Sequence, residues 1–149
     1  MGDNTISLKA VSEGTPLTKI QVKTFEFEID EPELFGGTNQ APSPVDYLLS
    51  SIAGCIVAIG TYMAGEMGFE IRRLEVSIDG LINSDCFFGR STETRSGFQE
   101  IAIALDMDSS ADEQQLREWK RQLPVRCPVL DNLLHPVKIV FKGEETDKG

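Results

Sequence analysis

Three cysteines, Cys55, Cys86 and Cys127, and a single histidine, His135, are the side chains of this 149-residue chain best suited to covalent chemistry. A thiol reacts as its thiolate, so its surroundings decide whether it is a nucleophile or packing. Cys127 stands in the run Arg126-Cys127-Pro128, beside a guanidinium and at what reads as a helix start, and both features stabilise a thiolate. Cys55 falls inside a long apolar stretch, where desolvation raises a thiol's pKa. Electrostatics alone therefore ranks Cys127 above Cys55. Cys86 sits near a turn in Asp85-Cys86-Phe87-Phe88, and buried packing is the ordinary fate of such a lone cysteine. A disulfide between two of the three requires α-carbons within about 7 Å, which their spacing neither forbids nor demands. With no Cys-x-x-Cys pair and one histidine to join them, no metal site is expected. Thiol-dependent acyl transfer would need a paired histidine, and His135, wedged before Pro136, reads as a turn residue.

The element that positions Cys55 is a helix over residues 44–67. Ser43 is a good N-cap, Pro44 suits the first helical position, and Asp46 completes a Ser-x-x-Asp capping box, so Asp46 reads first as a cap and second as an acid or base. Leu48, Ile52, Cys55, Ile56, Ile59, Met63 and Met67 follow at spacings of three and four, forming one apolar stripe, and Gly68 supplies the stop. Such a helix is roughly 36 Å long and should run through a core rather than along its edge. Gly54 and Gly60 inside it each cost about 1 kcal/mol relative to alanine, which points to close approach by another backbone. Its apolar circumference is more than one small chain has material to wrap, so a homodimer sharing a core is expected ahead of a monomer whose sheet curls around the helix.

Composition narrows the rest. The length suits one domain, and 40% hydrophobic with 26% charged residues is ordinary for a globular chain. The net charge of -10 argues against nucleic acid and anionic membrane surfaces as partners. The longest apolar run is broken by glycine, threonine and cysteine, so no membrane span is expected, and the opening residues lack a basic region followed by an apolar block. A cytoplasmic setting follows as the default, where a disulfide would be transient.

Along the chain, Ile6, Leu8 and Ala10 alternate with polar residues, Ser12 to Pro16 break the pattern, and Ile20 and Val22 resume it. Phe25, Phe27 and Ile29 alternate in the opposite phase, implying a bend or bulge at Lys23-Thr24. These N-terminal strands occupy 5–30, and a loop over 31–43, rich in Gly and Pro, is long enough to be a working loop. In the region 70–142, Leu74, Val76 and Ile78 open one strand, with Gly80 and Asn83 to Asp85 as turn material, and Ile101 to Met107 form another. Ser110 with Glu113 caps a helix that turns Leu116, Trp119 and Leu123 inward until Pro124 ends it; a short segment Val129 to Leu134 and a last strand through Val137, Ile139 and Phe141 follow. The tail from Gly143 is expected to fray. This order is α+β with antiparallel sheets.

Several stretches together resemble the osmotically inducible protein C and organic hydroperoxide resistance family (OsmC/Ohr): Asp30-Glu31-Pro32 with Gly36-Gly37-Thr38, PSPVDYLLSSIAGC from Pro42 to Cys55, Arg95-Ser96-Gly97-Phe98, and CPVLDNLL from Cys127 to Leu134. The resemblance covers most of the chain. It implies a single OsmC-like domain over 1–149, in an intertwined homodimer whose sheets wrap long central helices. It also implies a peroxidase in which Cys55 attacks an organic hydroperoxide and Cys127 resolves the sulfenic acid as a disulfide, reversing the electrostatic ranking. No cofactor is implied beyond an external dithiol reductant. Family peroxidases pair an N-terminal arginine with a carboxylate at the start of the long helix; Asp46 matches the carboxylate, but no arginine precedes Arg72, leaving Lys19 or Lys23 to supply charge. The alternative that this departure favours is a dimeric binding or sensing protein using an apolar interface cleft.

Overall fold

Alternation near the N-terminus folds as a three-stranded antiparallel sheet, β1 (Leu8–Ser12), β2 (Thr18–Val22) and β3 (Phe25–Ile29), in the computed structural model, which describes residues 2–143. The phase change at Lys23-Thr24 is a tight turn, with Lys23 at φ 54°. Val22 pairs with Phe25 and Ile20 with Phe27. Even-numbered positions of β2 therefore face odd-numbered ones of β3, and the switch in phase keeps the apolar residues on one face. Only Ile20 of this sheet is buried; Leu8 and Phe25 stand exposed.

The chain then forms α1 (Pro44–Glu66), β4 (Ile71–Leu81), β5 (Glu100–Ser109), α2 (Glu113–Arg126) and α3 (Pro128–Leu134). Contacts divide it into two compact units: residues up to Ala53 with Ile78–Ala102, and Gly54–Ser77 with residues from Ile103 onward. The result is mixed α+β with antiparallel sheets, as the sequence implies: β4 and β5 form the second sheet, with Glu70 bonded to Ser110 at one end and Leu81 to Gln99 at the other.

Within the first unit the loop before α1 is built on Asp30. Its side chain is fully buried, yet both carboxylate oxygens find donors: Oδ1 accepts from Glu31 N–H at 2.8 Å, and Oδ2 from Thr38 N–H at 3.1 Å, Thr38 Oγ1 at 2.7 Å and Gln40 N–H at 3.0 Å. These bonds, led by the Gln40 amide, hold the carboxyl at about 2, below the ordinary 3.8, against the opposing effect of burial. A β-carbon on Gly37 would collide with the Glu31 carbonyl, so glycine is required there. Because Asp30 is more acidic folded than unfolded, the stability it contributes is complete above the ordinary carboxylate range and disappears as pH falls toward 2. Urea midpoints measured from pH 6 to pH 2 should fall steeply below about pH 4 in the wild type and less steeply in Asp30→Asn, which starts lower. Parallel curves would contradict this role.

Helix α1 begins and ends where its residues dictate. Ser43 N–H and Oγ donate to Asp46 Oδ2 at 2.9 and 2.6 Å, and Asp46 N–H returns to Ser43 Oγ at 3.3 Å, closing the expected box. At the other end Gly68, at φ 75°, donates to Gly65 O and Phe69 to Ala64 O, the paired bonds of a Schellman stop. By length and composition α1 could cross a membrane, a property it shares with core helices and one that the expectation of no apolar span understated; 28% of its apolar window is buried within one chain.

Other boundaries differ from expectation for local reasons. Gly80 lies inside β4 rather than in a turn, because the Phe98 ring occupies the place of its β-carbon. The cap of α2 is Asp112 with Gln115, whose side chains and amides bond reciprocally, not Ser110 with Glu113; Ser110 instead accepts the Glu70 amide at 2.9 Å. Pro124 does not end α2, since a proline forfeits one bond while Cys127 N–H still reaches Leu123 O at 3.0 Å. Val137, Ile139 and Phe141 form no strand: no described strand pairs with them, and Phe141 is 95% exposed. The expected fraying beyond Gly143 lies outside the described residues.

Candidate functional site

In the second unit the apolar stripe of α1 meets α2. Ile56, Gly60, Met63 and Ala64 are buried on that stripe, as are Trp119 and Leu123 on α2. Gly60 has no side chain because the Trp119 ring fills the space, 2.5 Å from where a β-carbon would sit. The close approach expected of a backbone is thus made by an indole, and Gly54 faces open space instead. Trp119 Nε1–H donates to Gly60 O at 2.8 Å, satisfying the one polar atom of a fully buried side chain. Further along, Gln115 Nε2 donates to Met67 O at 3.0 Å. Residues 115 and 119 of α2 thus meet Met67, just past α1, and Gly60 within it, so the helices run antiparallel and the C-terminal end of α2 returns toward Cys55.

That end carries Cys127, which closes α2 and opens α3, its backbone extended at φ -87° and ψ 107°. The fold brings the two distant cysteines together: their sulfurs lie 2.8 Å apart in a thiol–thiol hydrogen bond. Cys127 is fully buried, whereas Cys55 is part-exposed. Burial pushes the Cys55 thiol above its ordinary 9.0, and the adjacent Cys127 sulfur adds to this; the Val129 backbone N–H, from the first turn of α3, pulls the other way. Cys55 should therefore alkylate slowly at neutral pH, with a rate rising about tenfold per unit to beyond the ordinary thiol value, measured by iodoacetamide labelling and peptide mass analysis. A plateau below pH 8 would contradict this environment.

The remaining candidates are divided between the two units. Cys86 is in the first unit, in the segment whose Phe87 and Phe88 cluster with Phe35. Asp46, Lys19 and Lys23 also belong to the first unit, and Asp46 spends its carboxylate on Ser43. His135 is held by Asp131 at 2.9 Å, at the opposite end of α3 from Cys127. Sequence reasoning missed Glu66, whose Oε2 lies 2.5 Å from Arg126 Nη1, and the Val129 amide; neither residue type carries a local signal for such a role. Among the described residues no group of His, Cys, Asp and Glu could hold a metal.

The arrangement is a part-exposed thiol backed by a buried one in contact with it, which suits oxidation of the first and capture by the second. A family model described as OsmC-like protein matches residues 37–142. A search of curated proteins finds no match. Among solved structures, the chain is similar to an OsmC-like protein from Mycoplasma pneumoniae, at 22% identity and TM-score 0.77 over 91% of both chains. It is also similar to an organic hydroperoxide resistance protein OsmC from Legionella pneumophila, at 13% identity and TM-score 0.62 over 89% of this chain and 91% of that one. A third, an organic hydroperoxide resistance protein from Elizabethkingia anophelis, gives 13% identity and TM-score 0.63 over 92% and 93%. At these identities the likeness is one of fold.

Proposed function

The chain belongs to the OsmC-like family, and from that premise we propose that it is a thiol-dependent peroxidase acting on organic hydroperoxides. One observation carries the reading: the part-exposed Cys55 sulfur lies against the buried Cys127 sulfur, 2.8 Å away. The Cys55 thiolate attacks one peroxide oxygen and the O–O bond breaks. The alkoxide takes a proton and leaves as alcohol, and Cys55 remains as a sulfenic acid, oxidised by two electrons. The Cys127 sulfur then attacks the sulfenic sulfur, the S–S bond forms, and hydroxide leaves as water after taking a proton. An external dithiol supplies two electrons and two protons to restore both thiols, with no bound cofactor. Asp46 contributes by fixing the start of α1, and apolar surroundings favour an organic peroxide over hydrogen peroxide.

The reading includes a homodimer in a reducing, cytoplasmic compartment. Val57 and Tyr62 on α1, Leu8 and Phe25 on the first sheet, and Val137, Ile139, Val140 and Phe141 are largely apolar and exposed in one chain, and a second copy would cover them. The test is consumption of cumene hydroperoxide with a dithiol reductant, beside hydrogen peroxide at equal concentration. Turnover of the organic peroxide in preference supports the proposal; turnover of neither overturns it.

The raised Cys55 thiol, with no arginine before Arg72, favours a second reading: a dimeric binding protein using an apolar cleft between subunits. In that case Cys55→Ala would bind a fluorescent apolar probe as tightly as wild type.

A further inference from the structure

Arg126 immediately precedes Cys127 and is the last residue of α2, while Glu66 is the last residue of α1, the helix that carries Cys55. The Arg126 guanidinium reaches Glu66 Oε2 at 2.5 Å and lies over the Tyr62 ring, 5.7 Å from its centroid. One cation thus ties the cysteine-bearing end of α2 to two residues of the helix holding the other cysteine. The bonds from Gln115 to Met67 and from Trp119 to Gly60 anchor α2 eleven and seven residues earlier, and no hydrogen bond from the residues between Trp119 and Arg126 ties the last two turns of α2 to α1 among the described residues. We propose that Arg126 is a positioning residue whose clamp on Glu66 and Tyr62 holds the Cys127 sulfur against that of Cys55. The proposal rests on the redox reading only in taking the two thiols as a working pair.

The experiment equilibrates the full-length protein with glutathione and glutathione disulfide: the protein dithiol passes two electrons and two protons to glutathione disulfide, leaving a Cys55–Cys127 bond and two glutathione molecules. The equilibrium constant reports how well each thiol is presented to the other. Arg126 and Glu66 side chains are 31% and 45% exposed, so the effect is that of a partly screened pair. Arg126→Gln and Glu66→Gln should each lower the constant about fivefold, equivalent to about 20 mV in reduction potential. Arg126→Lys should fall between, keeping charge but losing the planar fork, and Arg126→Glu combined with Glu66→Arg should return toward wild type. Thermal melts followed by circular dichroism identify any variant that fails to fold, and the charge-swapped protein then carries the test. Wild-type constants in both glutamine variants, or a charge-swapped protein no better than either, overturn the clamp. If the variants rank as stated but cumene hydroperoxide gives wild type no disulfide, the clamp stands and the peroxidase reading falls.

Discussion

Cys55→Ser is expected to reduce hydroperoxide consumption by at least roughly a thousandfold, to the background of the dithiol alone, because a hydroxyl cannot replace a thiolate as nucleophile toward an O–O bond. Cys127→Ser should behave differently. Its Cys55 would still be oxidised once, so a first equivalent of peroxide disappears, but the sulfenic acid has no neighbour to capture it. Turnover would then depend on direct attack by the external thiol, and over-oxidation to sulfinic acid should accumulate. On the proposed reading the two serine variants separate the roles because burial separates the residues: the part-exposed sulfur would meet substrate, and the fully buried one would be reached only through its neighbour. Stopped-flow peroxide consumption with mass analysis of Cys55 checks both. Equal multiple turnover by wild type and Cys55→Ser would contradict the assignment, and a faster single turnover at Cys127 would restore the opposite order.

Trp119→Ala is expected to cost about 3–5 kcal/mol of stability, the range for removing a large buried aromatic. The indole is fully buried and packs where Gly60 has no side chain. Its removal leaves a cavity between α1 and α2 and deprives Gly60 O of the indole donor at 2.8 Å. The melting temperature should fall on the order of 10 °C. A valine at Gly60 should be comparably damaging, since its β-carbon would enter the ring. Urea unfolding provides the measurement, and a loss below about 1 kcal/mol for Trp119→Ala would show that the helices dock without it.

Much of this molecule is legible from local chemistry. The capping box of Ser43 and Asp46 and the stop at Gly68 are read directly, because they depend on residues three or four apart. The alternation of β2 and β3 is equally local, and its phase switch encodes the turn. What the sequence conceals depends on distant partners. Gly80 looks like a turn residue until the Phe98 ring is found against it, and Pro124 looks like a terminator until the following bonds prove sufficient. Asp30 is one carboxylate among many acidic residues, and only the fold shows it as the buried acceptor that organises its loop.

The cysteine pair is only partly legible in the sequence. Local electrostatics favours Cys127 from its neighbours Arg126 and Pro128, but the Arg126 guanidinium is turned to Glu66 and Tyr62, and Cys127 is sealed from solvent. Exposure, which no local motif reports, distinguishes the part-exposed Cys55 from the buried Cys127. The juxtaposition of the sulfurs arises from two bonds that align α2 with α1 and the residue after it, at residues 115 and 67 and at 119 and 60, and only the helical stripe among their causes is visible in the sequence.

The most direct test is peptide mapping after one equivalent of cumene hydroperoxide is added to the fully reduced protein without external thiol. The account predicts a single cross-linked product joining the Cys55 and Cys127 peptides, two hydrogens lighter than the dithiol, with Cys86 still free to alkylate. Recovery of Cys55 and Cys127 as unmodified thiols, or a cross-link through Cys86 in their place, would contradict it.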